Sequence, residues 1–452
     1  MEVIKDIRTR KGANLNLKGG AEKILDKSVL PSNFAIRPDD FFGIAPKLIL
    51  KEGATVKLGS PIFFSKKNPH IKFVSPVAGT IMSVVRGPKR KIENIIIKAS
   101  TKQDSIKYSV SGWHKKNRDD LKSLLTSSGN WPFIHQRPYG TIANPTDTPK
   151  AIFVSTVKTD PLHGDLQFIL KDQRNNFQLG INLLNKLVDQ PVFLGVEKEF
   201  SDYFESIEGV QHYTVRGPHP AGNLSLHIQE LTPLNIGERI WTVNAEDVAN
   251  LGRFLSSGIF CPRRTVAISG SAVENPKYFQ TIIGAELQPF LRKVGTIDKK
   301  IRVINGDVLT GDDSTFNCFL GYFNNLVTVI PEGDEYRMFG WLPFVDNNIL
   351  SLSNTSFSRV LNKKGFDVNT NLNGEERALV VTGEMEKMFP LEIYPMQLLK
   401  ACMVGDIEKM EALGIYEVLP EDFGLIDYSN TSKIEAQEII REGIELMINE
   451  VG

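Results

Sequence analysis

Three histidines in the middle of the chain, His212, His219 and His227, are the first residues whose type suggests chemistry. Their spacing argues against it. Steps of 7 and 8 residues fall outside metal-ligand spacing for one helix or hairpin, so they read as structural or surface groups. His219 is set apart by its loop, Gly217-Pro218-His219-Pro220-Ala221-Gly222. Cys261, Cys318 and Cys402 are far apart with no CxxC, which leaves no local zinc or cluster motif and suggests lone buried thiols in a reducing cytosol. Ile268-Ser269-Gly270-Ser271-Ala272 lacks the glycine spacing of a nucleophile elbow. Nucleotide signatures are missing as well. The segment after the strand at 151 is Ser155-Thr156-Val157-Lys158-Thr159-Asp160, with no GxGxxG. The nearest match to a phosphate loop, Gly306-Asp307-Val308-Leu309-Thr310-Gly311-Asp312-Asp313, puts aspartate where the lysine belongs, and paired carboxylates repel phosphate. No catalytic, metal-ligating or cofactor-binding set emerges.

Lysines in a turn are the next chemical possibility. Lys51 to Phe64 places two glycines, Gly53 and Gly59, around a short strand, and Val74-Ser75-Pro76-Val77-Ala78-Gly79-Thr80-Ile81 follows. The order turn, strand, turn, strand resembles a barrel-sandwich hybrid of the biotinyl/lipoyl type. A carrier of that type displays one lysine at a hairpin tip. Here the turn is Ser65-Lys66-Lys67-Asn68-Pro69-His70: no methionine flanks the lysines, they precede the apex, and Pro69 stiffens it. The shape is expected without the attachment. Gly87-Pro88-Lys89-Arg90-Lys91 reads as a solvated basic hairpin turn.

These segments need several domains to hold them, because 452 residues exceed what one core usually supports. Apolar residues make up 41% and charged residues 23%, with zero formal net charge, so nothing argues for nucleic acid. No signal-peptide core and no run of ~20 apolar residues is expected to cross a membrane. Asn117 caps an expected helix stopped by Gly129, and Trp131–Gly140, with two prolines, reads as an aromatic loop. A strand at Ala151–Val154, a helix at Phe177–Val188 and a strand at Pro191–Glu199 predict a doubly wound α/β unit with a right-handed crossover. From Arg264 to Gly311, strands alternate with a helical piece at Leu287–Leu291 and resemble a β-grasp module of the soluble-ligand-binding type. Phe339, Trp341 and Phe344 form an apolar cluster suited to docking a partner protein. At the C-terminal end Pro395 opens a helix, Asp406 caps the next, and Ser432 with Glu435 forms an expected capping box for the last.

This order of segments, with the Gly217–Gly222 loop and the Phe339–Phe344 cluster between them, resembles the A subunit of the sodium-translocating NADH:quinone oxidoreductases over essentially the whole chain. The expected class is multidomain α/β and β: a barrel-sandwich hybrid over 1–104, a Rossmann-like domain without a nucleotide motif over 105–256, a β-grasp module with a connecting segment over 257–375, and a helical domain over 376–452. A ferredoxin-linked relative holds iron–sulfur clusters in the helical domain. The corresponding stretches here, Phe389–Pro395 and Pro420–Tyr428, contain no cysteine. The resemblance implies a cytoplasmic subunit, peripheral on the inner face of a bacterial inner membrane, that meets membrane only through partner subunits. NADH, FAD, FMN and Fe–S centres would sit on those partners, and this chain would be associated with the quinone-reducing step. A quinone needs donors among apolar walls. His135, Arg137 and Tyr139, beside Trp131 and Phe133, and His219 on its loop are the candidates. A biotin or lipoyl carrier and a soluble NADH-flavin oxidoreductase are the alternative readings.

Overall fold

A computed structural model of the chain describes residues 3–197, 202–297, 300–315, 318–334, 349–352 and 365–451. The docking cluster Phe339, Trp341 and Phe344 lies outside the described residues. A seven-stranded sheet forms the centre, in the order Val3–Arg8, Gln211–Arg216, Val192–Glu197, Ile152–Ser155, Ile240–Asn244, Ile134–Arg137, Thr141–Ile142. The first five run parallel, Ile134–Arg137 is antiparallel to its neighbour Ile240–Asn244, and Thr141–Ile142 is antiparallel to Ile134–Arg137 in turn. The central strands Ile152–Ser155 and Val192–Glu197 are nearly continuous apolar runs, as strands covered on both faces tend to be. Ile152 and Val154 enter one core with the helices Arg174–Leu187 and Ala245–Ser257. Phe153 points into a second core with the helix Leu224–Leu231 and the C-terminal helices. The strand, helix and strand expected from 151 onward are therefore present.

The first core continues into two further units. One is a six-stranded mixed sheet, Asp312–Asp313, Ile301–Asn305, Leu326–Pro331, Arg263–Ser269, Lys277–Ile282, Glu22–Asp26, with the helix Gln288–Val294 beside it. The other is a pair of small sheets over Asn33–Ala99. Phe63 stacks on Phe73 with ring centroids 4.5 Å apart, and Phe41 meets Phe73 edge-on at 4.4 Å. Gly79 explains the Ser-Pro-Val-Ala-Gly-Thr step, because a Cβ there would lie 2.1 Å from the Lys98 carbonyl oxygen. The chain's first strands lie elsewhere: Val3–Arg8 edges the seven-stranded sheet and Glu22–Asp26 the six-stranded one.

Two expectations are corrected. Trp131–Gly140 is not a loop: a 3-10 turn, Trp131–Phe133, leads into the strand Ile134–Arg137, paired on both sides. Its two prolines lie outside that ladder, and buried Trp131 donates its indole N–H to the Ala143 carbonyl at 2.7 Å. The last helix, Ala436–Glu450, has no capping box from Ser432, whose hydroxyl donates to the Ala378 carbonyl. Asp427 caps it instead, accepting from the amides of Ala436 (2.5 Å) and Gln437 (3.4 Å). Asp312 and Asp313 form an exposed edge strand, with Asp313 against Arg302. The caps at Asn117 and Asp406 are as expected, accepting from Asp120 N and Lys409 N.

One buried cation joins the units. Arg264, 1% exposed, donates to Asp247 on the helix Ala245–Ser257 and, through Nε and Nη2, to the Tyr322 carbonyl at 3.1 and 2.8 Å. The Tyr322 amide in turn donates to Asp40 of the small sheets at 3.0 Å, and Asp40 accepts from Arg37. Glu246 beside this pair is pushed up to about 7 by burial, against the pull of Arg264. Removing one partner of a buried pair leaves an uncompensated charge, typically at a cost of ~3–5 kcal/mol. Arg264→Met should lower urea-unfolding stability by about that much, and Arg264→Met with Asp247→Leu should regain most of it. A single variant within ~0.5 kcal/mol of the parent would show that the junction does not rest on this pair.

Candidate functional site

The strand Gln211–Arg216 runs out into the Gly217–Gly222 loop, and side chains beneath it hold the loop in place. His227, fully buried, has Nε2 2.8 Å from the Ala221 carbonyl and Nδ1 3.0 Å from the Tyr213 hydroxyl. A carbonyl only accepts, so the proton is on Nε2 and the tyrosine donates to Nδ1. Burial holds this imidazole down to about 4. His212 contacts the Phe204 carbonyl at 3.0 Å. Both histidines are structural, as their spacing implied.

His219 differs. It is 1% exposed, its Nδ1 lies 3.2 Å from Thr159 Oγ1 and 3.7 Å from Asp160 Oδ1, and its Nε2 is buried without a partner. Thr159 Oγ1 accepts from the Gly222 amide at 2.9 Å, which leaves its proton for His219. Burial lowers the His219 pKa, with Asp160 and Asp307 opposing. An N-terminal strap covers the loop: Ala13 N donates to the His219 carbonyl, and Asn14 Oδ1 accepts from His219 N. Gly12 is required there, at φ +109° with a Cβ that would fall 2.1 Å from the His219 oxygen.

Beside this loop, at the carboxyl ends of the parallel strands, a crevice of about 610 Å³ opens. Sheet order reverses about Ile152–Ser155, and such switch points are where open α/β sheets take ligands. Apolar walls come from Leu15, Val157, Leu162, Leu166 and Phe204, polar groups from Lys158, Thr159, Asp160 and Arg216. Lys158, with a side chain 43% exposed, pairs with Asp160 at 3.5 Å. Burial would raise Asp160, but Lys158 and then His219 outweigh it and hold the carboxyl below its usual range; Asp160 in turn raises Lys158. Asp307, buried from the neighbouring sheet and raised first by burial and then by Asp160, accepts from the amides of Leu309 and Thr310.

The residues singled out from the sequence do not share this crevice. His219 stands behind its wall. Arg137 is buried and donates to Ser225 Oγ at 2.9 Å and Glu421 at 3.1 Å, while Ser225 donates to Asp422 at 2.6 Å. That set ties the strand to the C-terminal helices. Tyr139 has its ring 6.0 Å from Tyr416. His135 meets Phe323 edge-on at 4.5 Å and is held down to about 4 by burial and Arg137. Lys158 and Asp160 were passed over because their segment drew attention only for its missing glycines. Their signal was position: charged residues directly after a buried central strand. Among the described residues no cluster of three or more His, Cys, Asp or Glu could hold a metal, and the three cysteines are free.

The sequence matches the model of an NqrA N-terminal barrel-sandwich hybrid domain over 7–100, an NqrA second alpha/beta domain over 116–260 and an NQRA C-terminal domain over 265–315. It is 31% identical over 445 residues to the A subunit of the Na(+)-translocating NADH-quinone reductase of Alcanivorax borkumensis, covering 97% of this chain and 98% of that one. To the protein of the same name from Rhodopirellula baltica it is 33% identical over 444 residues, 97% of each chain. Among solved structures, an NAD+-reducing [NiFe]-hydrogenase in the H2-reduced state aligns at TM-score 0.39 and 12% identity, over 76% of this chain and 63% of that one. That likeness is too distant to bear on the fold.

The His227 arrangement makes stability pH-dependent. The folded imidazole at about 4 lies below the ordinary 6.5, so the unfolded chain binds the proton first. The stabilisation is complete above pH 6.5 and is lost as pH falls to about 4, a change of about 3 kcal/mol from this residue. Urea unfolding across that window should show a shallower pH slope for His227→Gln than for the parent chain. Equal slopes would remove His227 as the cause.

Proposed function

The chain belongs to the family formed by the A subunit of Na(+)-translocating NADH-quinone reductase, and from that premise we propose that it is the peripheral cytoplasmic subunit of such a complex, associated with quinone reduction. Partner subunits hold it at the inner face of the membrane and carry the NADH, FAD, FMN and Fe–S chemistry. The α/β unit is Rossmann-like with a vacated nucleotide site, and the six-stranded unit is a β-grasp module. Among the described residues, no helix is long and apolar enough to cross a membrane, which supports a peripheral place.

The observation that carries the quinone reading is the switch-point crevice. It offers apolar walls to a ring and Lys158 as a donor to one carbonyl, while the loop Thr156–Pro161 has no glycine turn for a pyrophosphate. His219, pressed against Thr159, positions that loop. His135, Arg137 and Tyr139 act at one remove, by fixing the neighbouring strand and the helical unit that covers it.

In the assembled complex, Lys158→Gln should raise the quinone KM about tenfold, the loss of one charge-assisted hydrogen bond, with NADH oxidation by the upstream flavin unchanged. The joint change of His135, Arg137 and Tyr139 to alanine should act through stability and assembly. Quinone kinetics unaltered by Lys158→Gln would take the crevice out of the reaction.

A further inference from the structure

Zero net charge conceals a strong segregation. Residues 33–105 hold thirteen lysines and arginines against five aspartates and glutamates, a net of +8. Residues 376–452 hold six against sixteen, a net of −10. Opposite charge has been gathered into two units whose buried residues belong to different cores, in contact where Arg441 lies over the Phe42 ring, so the two units present different fields.

The basic unit has a distinct geometry. In the four-stranded sheet, Gly79–Arg86 is paired to Thr55–Val56 only through Gly79 and Thr80. Ile92–Ala99 is paired to Asn33–Ile36 only from Ile95 to Lys98. Residues 82–86 and 92–94 therefore extend past both flanking strands as a two-stranded ribbon. At its tip Arg86, Lys89, Arg90 and Lys91 are all exposed. Met82 and Val85, 54% and 37% exposed, stand on the same strand. The carboxylates near the ribbon are Glu93, tucked against Gly87, Asp39, which pairs with Lys91 at 3.0 Å, and Glu52, which accepts from the Val84 amide at 2.6 Å. Arg86 donates to the Arg90 carbonyl, which braces the turn. Seven further lysines on the barrel are exposed.

We propose that this ribbon and the lysine-rich barrel around it rest directly on an anionic lipid bilayer, a second contact beside the one made through partner subunits. The side-chain chemistry selects lipid over an acidic protein. Lysine is depleted at protein–protein interfaces, which favour arginine and aromatic groups, whereas clustered lysines beside exposed apolar side chains suit a diffuse layer of anionic headgroups. Met82 and Val85 enter the headgroup region while the long lysine stems keep their charges among the phosphates. The expectation that membrane is met only through partners rests on the lack of a spanning segment, and neither that nor a net charge of zero registers this separation.

The test is sedimentation of the full chain with vesicles of phosphatidylcholine containing phosphatidylglycerol, against phosphatidylcholine alone. Binding to the anionic vesicles only, reversed by salt, is expected. Lys89→Asn, Arg90→Asn and Lys91→Gln together should lower the partition coefficient about 100-fold, at roughly fivefold per basic residue. Asparagine is chosen because Lys89 and Arg90 lie at positive φ, 52° and 61°. Lys400→Gln with Lys409→Gln, on the acidic unit, should leave binding unchanged. A parent chain that stays in the supernatant with anionic vesicles at low salt overturns the proposal. So does vesicle binding indifferent to the triple change. Loss of the chain from the detergent-solubilised complex on the triple change, without any vesicle binding, would assign the ribbon to a protein partner and also overturn it.

Discussion

The arginine at position 264 is the point on which the three β-containing units converge. Its guanidinium bonds the α/β unit through Asp247 and its own sheet through Tyr322, whose amide reaches Asp40 on the barrel. A buried cation tolerates no loose arrangement, because every lost partner leaves charge in a medium that cannot solvate it. The rings nearby follow that constraint: Phe41 and Phe323 pack edge-on about Tyr322, and Phe133 lies under the guanidinium. With the barrel fixed to the six-stranded sheet and both to the helix Ala245–Ser257, the carboxyl ends of the central strands are left open rather than closed by a neighbouring domain.

Much of the architecture could be read from residue pattern. Apolar runs at Ala151 and Pro191 bracketing an apolar-rich helix specify a sheet buried on both faces, and Asn117 and Asp406 announce their helices because a cap acts on amides two or three residues away. Legibility failed where the deciding partner is distant in sequence. Asp427 caps a helix that starts nine residues later, so Ser432 and Glu435, with the right types at the right spacing, were the natural misreading. The strand Ile134–Arg137 is made by the edges it pairs with, not by its proline-flanked composition. The candidate site divides the same way. His219 was visible as an oddity in its loop, but Lys158 and Asp160 became a pair only when the sheet placed them at its switch point. Arg137, chosen as a donor, is engaged by Ser225 and Glu421.

The proposed quinone association rests on the carboxyl end of the central sheet. The loop after the central strand carries Lys158, Thr159 and Asp160 in place of glycines, and a strap built on Gly12 presses His219 into its side. The most direct measurement is calorimetric titration of the purified chain with NADH, and with a short-chain quinone in parallel. If the crevice takes a quinone and no nucleotide, as proposed, heat is expected from the quinone and none attributable to NADH binding. A low-micromolar NADH dissociation constant would contradict it.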